Sequence, residues 1–176
     1  MFLDKGRDEL AKLFYGKGAE IGVEQGAFSE VICKANPGVI LYCIDAWAAY
    51  DGYLDHRRQK KLDRFYWRAR KLLRPYNCIF IRKFSMDAVR DFEDCSLDFV
   101  YIDANHSYKS VMEDIIEWSK KVKPGGIVAG HDYVDHWSRG ETYRVKPAVD
   151  DYAKKQGIEL TIYGADEFPS WMFIKR

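Results

Sequence analysis

Short apolar runs, set between longer stretches of helical spacing, constrain this chain most. Residues 18–23, 39–45, 78–81, 97–103 and 126–130 are too short and too apolar for surface helices. Each reads as a strand buried on both faces. Residues 29–35, 56–74, 86–92, 107–122 and 147–156 read as helices. In the fourth, Val111, Ile115, Ile116 and Trp118 fall at helical spacing behind Ser107, and Lys123-Pro124-Gly125-Gly126 stops the run. The tail changes rhythm: residues 159–163 and 171–175 are strands joined by a turn over 164–170. This alternation predicts a Rossmann-like, doubly wound α/β sheet. It is mainly parallel and seven-stranded, with an antiparallel C-terminal hairpin. Ligands in such sheets bind at the carboxyl ends of the strands, near the point where the strand order reverses.

Composition narrows the function. The 176 residues carry no repeat, low-complexity tract or linker, so one domain over 1–176 is expected. Lys plus Arg is 28 against 27 for Asp plus Glu, a net charge of +1. That balance offers no footprint for a nucleic-acid backbone or an anionic membrane. The basic stretch His56-Arg-Arg-Gln-Lys-Lys reads as a solvated helix face. No apolar run reaches bilayer length, and the N-terminus lacks the apolar segment of a signal peptide. The four cysteines, Cys33, Cys43, Cys78 and Cys95, form no Cys-x-x-Cys pair. They read as reduced, mostly core thiols of a cytoplasmic protein.

The loop after the first strand, Glu20-Ile-Gly22-Val-Glu24-Gln-Gly26, opens a helix. Its glycines let a ligand approach the backbone, although a plain strand-to-helix turn uses glycines too. The spacing departs from the Gly-x-Gly-x-x-Gly of dinucleotide sites. Glu20 and Glu24 would repel a pyrophosphate at that helix start and would suit a cation. Asp45 ends the second strand, where an acid accepts both ribose hydroxyls. The expected ligand therefore bears a ribose and a positive charge but no phosphate. S-adenosylmethionine fits, with its adenosine, amino group and sulfonium.

Glu20-x-Gly22-x-x-x-Gly26, Asp45, the LDFVYID of 97–103 and the VKPGGIVAGHDY of 122–133 follow one another in order. Together they resemble the class I S-adenosylmethionine-dependent methyltransferases, and among them the small macrocin/sugar-type O-methyltransferases. The resemblance implies that Glu20 and the backbone of the Gly22–Gly26 loop hold the methionine end, and Asp45 the ribose. Trp47 would lie beside ribose and adenine, and Ser85 and Met86 would edge the adenine. Asp103 would border the cofactor. Core packing is the competing reading for Trp47 and Met86.

Beyond the cofactor, the fourth strand ends in Asp103-Ala-Asn105-His106 and the fifth in Gly130-His131-Asp132. Adjacent strands lie only ~5 Å apart, so Asp103, Asn105, His106, His131 and Asp132 are expected to converge. In one reading Asp103, His131 and Asp132 hold Mg²⁺ or Mn²⁺, which lowers the pKa of an acceptor hydroxyl. The metal-dependent catechol-type O-methyltransferases resemble this layout. Their catalytic lysine falls at His106, and His131-Asp132 replaces their Asp-Asn. In a second reading no metal binds, and His106 or His131 is a general base oriented by Asp103 or Asp132. In a third, Asp103 and Asp132 merely cap helices or touch the cofactor.

The expected activity is O-methylation of a small hydroxylated acceptor, a sugar or polar natural product, with divalent-metal assistance. Catalysis would rest on His106, Asp103 and His131. A metal-independent enzyme with a histidine base and a non-catalytic cofactor-binding module are the alternatives. An aromatic-rich insert at 46–55 and a loop at 133–146 would border the acceptor, with Arg139 or Arg144 suiting a sugar. The Asn/Asp-Pro-Pro-aromatic motif of amino-methylating nucleic-acid enzymes is absent after strand four, which argues against such an acceptor. Exposed aromatics and the tail hairpin offer a homodimer contact.

Overall fold

The computed structural model of the chain describes residues 1–49, 58–138 and 141–176. In chain order the elements are β1 (Phe2–Leu3), α1 (Arg7–Ala11), β2 (Lys17–Ile21), α2 (Ala27–Ala35), β3 (Ile40–Ile44) and α3 (Gln59–Leu72). Then come β4 (Cys78–Ile81), α4 (Ser85–Ala88), β5 (Leu97–Ile102), α5 (Tyr108–Lys121) and β6 (Val122–Gly130). The chain closes with β7 (Asp135–Ser138), β8 (Glu141–Arg144), α6 (Val145–Gln156), β9 (Thr161–Tyr163) and β10 (Ser170–Ile174).

Eight strands form one sheet in the order β1-β9-β10-β6-β5-β2-β3-β4. The β2–β3, β3–β4, β2–β5 and β5–β6 pairs are parallel, and β10 runs antiparallel to both β6 and β9. This is the expected doubly wound, Rossmann-like sheet with its antiparallel hairpin. The order reverses at β2, which lies between β3 and β5, so a cleft opens above the carboxyl ends there.

Alternation along the strands builds two apolar layers. Phe99 and Tyr101 of β5 pack under Phe14, Phe28 and Ile32, while Val100 and Ile102 join Ile115 and Trp118 of α5. Burying each such side chain contributes roughly 1.5–3 kcal/mol, which outweighs the ordinary helix propensities of these segments. Ser107 caps α5, its hydroxyl accepting from the Ser110 amide.

Three features depart from expectation. The sheet has eight strands instead of seven, because Phe2–Leu3 adds a parallel edge strand beside β9. The Lys123–Gly126 turn lies inside β6, which already begins at Val122 and pairs irregularly with β5. The loop expected after the fifth strand contains a separate antiparallel hairpin, β7–β8. The insert at 46–55 is described only to residue 49, and Arg139 and residues 50–57 lie outside the described residues. Among the described residues no helix is long and apolar enough to cross a membrane.

Candidate active site

The strand ends that carry the predicted residues stay in register past the strands themselves. The Gly22 amide donates to the Ile44 carbonyl at 2.8 Å, the Asp103 amide to Ile21 at 2.8 Å and the His131 amide to Ile102 at 3.1 Å. Backbone ladders thus fix where these residues emerge. A cleft of about 590 Å³ opens above them, lined among others by Gly22, Glu24, Asp45, Ser85, Met86, Asp103, Asn105 and His106.

On the β2–β3 side, Gly22 has φ +94°, and a Cβ there would meet the Asp103 carbonyl oxygen at 1.9 Å. No other residue fits so close an approach of two strand ends. Asp45 is 9% exposed. Its Oδ2 accepts from the Glu24 amide at 2.9 Å and its Oδ1 from the Trp47 amide at 2.7 Å. The carboxylate is therefore anchored by backbone, and each oxygen keeps a second lone pair. Ser85 is tied from two sides. Its hydroxyl donates to Asp114 and accepts from the Trp118 indole at 2.8 Å. Met86 lines the cleft and also packs on the α5-side core, so both readings of it describe the same position.

Three predicted cofactor residues lie elsewhere. Glu20 is 1% exposed and does not line the cleft. Its neighbours Ala19 and Ile21 face the α5 layer, so strand alternation sends Glu20 under α2, where the Ser29 hydroxyl donates to it. Burial, partly offset by that bond, raises its carboxyl to about 8. Its carboxyl is turned away from the cleft, which Glu24 alone of the two glutamates lines. Gly26 takes φ +84° at the start of α2 and lies against α3, where a Cβ would meet Leu73 and Ala69. Trp47 turns inward at φ 39° and is fully buried. Its indole donates to the Glu24 carbonyl at 2.8 Å and packs edge-on to Tyr66. Here the core reading of Trp47 holds, because an indole of that size buries more apolar surface than a cleft wall offers.

On the β5–β6 side the expected convergence occurs. One ligand atom each from Asp103, His131 and Asp132 lies within 4.8 Å of the other two. His131 Nδ1 is 3.2 Å from Asp132 Oδ1 and 3.9 Å from Asp103 Oδ2. His106 Nε2 is 2.9 Å from Asp132 Oδ2 and 3.7 Å from Asp103 Oδ1. Burial opposes a charge on His106, but the two carboxylates outweigh it and raise its pKa to about 10. Burial likewise opposes the Asp132 anion, and the two imidazoles outweigh it and hold its carboxyl below the ordinary range. Asp132 sits at φ 54° and Glu24 at φ 50°, left-handed conformations that side chains rarely adopt.

Several residues here were not anticipated. Arg7 of α1 places its guanidinium 4.0 Å from Asp103 and over the Phe28 ring. Tyr143 of β8 stacks on His106 at 4.6 Å, and the Arg144 amide donates to the His106 carbonyl at 2.8 Å. Asp114 of α5 reaches the cleft floor through Ser85, with burial raising it to about 7. Of these, Tyr143 and Arg144 belong to the 133–146 loop already expected to border the acceptor, Asp114 left a signal as an acid within the apolar face of a helix, and Arg7 left none. Arg144 ion-pairs with Asp135 across the hairpin at 3.0 Å and does not line the cleft.

An octahedral Mg²⁺ with bonds of about 2.1 Å sets neighbouring donors about 3 Å apart and opposite ones about 4.2 Å apart. The Asp103–His131–Asp132 ligand atoms, all within 4.8 Å of one another, would have to draw in to surround such an ion, and two carboxylates with one imidazole suit Mg²⁺ or Mn²⁺.

The comparisons agree with this architecture. The family model described as a methyltransferase domain matches residues 19–133, from β2 through both acceptor-side strand ends. The chain belongs to that family, the class I S-adenosylmethionine-dependent methyltransferases. An O-methyltransferase family protein from Burkholderia thailandensis superposes with a TM-score of 0.69 at 12% identity, covering 96% of this chain and 55% of that one. The O-methyltransferase from Bacillus cereus, in complex with SAH, gives a TM-score of 0.67 at 14% identity and covers 96% and 80%. A protein of Sinorhizobium fredii, y4gI, is 26% identical over a 163-residue alignment that covers 85% of this chain and 17% of that protein. The chain thus spans about a sixth of its curated relative.

Proposed function

We propose that this domain transfers a methyl group from S-adenosylmethionine to a hydroxyl of a small polar acceptor, with a divalent cation held by Asp103, His131 and Asp132. The observation that carries this reading is the meeting of those three side chains within 4.8 Å beside the cofactor cleft. S-adenosylmethionine brings an already activated methyl on a sulfonium, so the protein's work is alignment and removal of one proton. Asp45 holds the ribose, and the bare Gly22 backbone lets the amino-acid end lie close to β2. The cation supplies Lewis acidity that brings the acceptor hydroxyl towards its anion. Asp103 lines the cleft and belongs to the trio, so it connects the two halves of the reaction.

His106 as an unaided base runs against its charge state. The Asp132 and Asp103 carboxylates beside its Nε2 favour the imidazolium, the form that has no lone pair for a proton. In this reading it balances the paired carboxylates and stabilises negative charge developing on the acceptor oxygen. The test is calorimetric titration of EDTA-treated protein with S-adenosylhomocysteine and then with Mg²⁺ or Mn²⁺. Micromolar cofactor binding, with a metal heat that disappears in Asp103→Ala/Asp132→Ala, supports the proposal. Cofactor binding with no metal heat moves the chemistry to the histidines, and no cofactor binding removes the enzymatic reading.

A further inference from the structure

Two of the four cysteines, Cys33 and Cys78, meet at the end of the sheet opposite the cleft, with Cys43 behind them along β3. Cys33 lies near the C-terminal end of α2, Cys43 in β3 and Cys78 at the first position of β4. The Cys33 and Cys78 sulfurs are 3.6 Å apart. Cys33 is 4% exposed, Cys43 is fully buried and Cys78 is half-buried. A groove of about 470 Å³ reaches this corner, lined by Cys33, Asn36, Pro37, Pro75 and Asn77. The groove reaches Cys33, and the half-buried Cys78 sulfur lies in van der Waals contact with it.

We propose that Cys33 and Cys78 form a dithiol site that hydrogen peroxide converts into a disulfide. The Cys78 thiolate attacks one peroxide oxygen, the O–O bond breaks, and the departing hydroxide takes up a proton to leave as water. Cys78 is then a sulfenic acid. The Cys33 sulfur attacks the Cys78 sulfur, the S–O bond breaks, and a second water leaves with the Cys33 proton. Two thiols lose two electrons and the peroxide gains them. Hydrogen bonding from the two neighbouring thiols favours the thiolate at Cys78, while the bond to Cys78 and burial both favour the thiol at Cys33. Exposure separates the roles in the same sense: half-buried Cys78 is the attacker and buried Cys33 the resolving group.

Cys43 is the poorer partner for a geometric reason. In the β3–β4 register Cys78 faces Leu41 and Cys43 faces Phe80, so Cys43 and Cys78 are diagonal neighbours. The two thiols are hydrogen-bonded, but the β3–β4 ladder fixes their diagonal backbone positions, so a disulfide between them would have to strain both strands. Cys33 approaches from a helix, which can shift as a body. The link would staple α2 to β4 at the amino ends of the strands, about 15 Å of strand away from the cleft. It would stiffen the sheet without touching the cofactor walls.

The test uses the full chain carrying Cys95→Ser, because Cys95 is exposed and would react on its own. The reduced protein is treated with limiting hydrogen peroxide, digested without reductant and read by mass spectrometry. Expected is a species lighter by two hydrogens in which the Cys33 and Cys78 peptides are joined. Its Tm should rise by about 5 °C, reversibly on reduction. Its affinity for S-adenosylhomocysteine should stay within about twofold. Cys78→Ser and Cys33→Ser, each checked for fold by circular dichroism, should abolish the joined species. Sulfinic acid accumulating on unlinked Cys78, a link to Cys43 instead, or a link formed no faster than in urea-unfolded protein would each overturn the proposal.

Discussion

Asp45 on the β2–β3 bank of the cleft gives both oxygens to backbone amides, of Glu24 and Trp47. Asp132 on the β5–β6 bank gives both of its oxygens to imidazoles, of His106 and His131. An amide cannot titrate, so these two contacts to the first carboxylate persist across the working pH range. The His106 imidazole can, so part of the hold on the second carboxylate depends on a proton that leaves only as pH rises towards 10. The cofactor side is thereby built for constancy and the acceptor side for changes of charge. That difference suits the proposed transfer, in which the sulfonium would bring its own activation and the acceptor hydroxyl would not.

The sharpest way to break the comparison is to remove the titratable bank. Asp103→Ala/Asp132→Ala should lower methyl transfer by about 1000-fold or more in single-turnover assays, while S-adenosylhomocysteine affinity shifts less than about fivefold. If both collapse together, the two banks are one unit. Asp45→Ala should do the reverse and weaken S-adenosylhomocysteine by about 30-fold in calorimetry, through lost charge-assisted hydrogen bonds.

The pH dependence of stability separates the banks further. His106 has a folded pKa raised from 6.5 to about 10. The stability it confers is fully present below 6.5 and drains away as pH rises through 10, by on the order of a few kcal/mol. Thermal melts of the metal-free protein should therefore fall between pH 7 and 10, and His106→Gln should flatten that slope. The smallest effect is expected at Glu20, whose folded pKa is raised from 4.5 to about 8. Folding favours its protonated form, so the wild type loses stability as pH rises through that interval. Glu20→Gln mimics the neutral acid. It should leave cofactor affinity within about twofold and melt slightly above wild type at pH 9. A large loss of affinity would return Glu20 to the cofactor site.

Legibility in sequence followed the kind of signal each part emits. The buried strands β2 to β6 announce themselves through continuous apolar runs, and strand ends locate Asp45, Asp103, His131 and Asp132 without further information. Direction is harder. Glu20 stands at a strand end too, but whether position 20 faces a helix layer or the cleft depends on which neighbours the sheet buries. Trp47 depends on a left-handed turn that its sequence neighbours do not advertise. The β7–β8 hairpin is polar, with Asp135, His136, Glu141 and Arg144, so no periodicity marks it. Phe2–Leu3 is too short to signal at all, and Arg7 reaches Asp103 only because α1 packs across the sheet from a distant part of the chain. The resemblance to methyltransferases ran through the legible parts, which is why class and cofactor came forward while the surroundings of His106 did not.

The left-handed backbone at Glu24 and Asp132 bears on how such a protein responds to selection. Each conformation costs roughly 1–2 kcal/mol relative to the right-handed well, and glycine or asparagine would relieve most of it. A library screened for heat tolerance alone would therefore drift towards those residues at 24 and 132. The survivors would outlast the parent and lose the carboxylates at the rim of the cleft. Robustness and chemistry compete at these two positions, and the winners of a stability screen, read in reverse, would map the working edge of the domain.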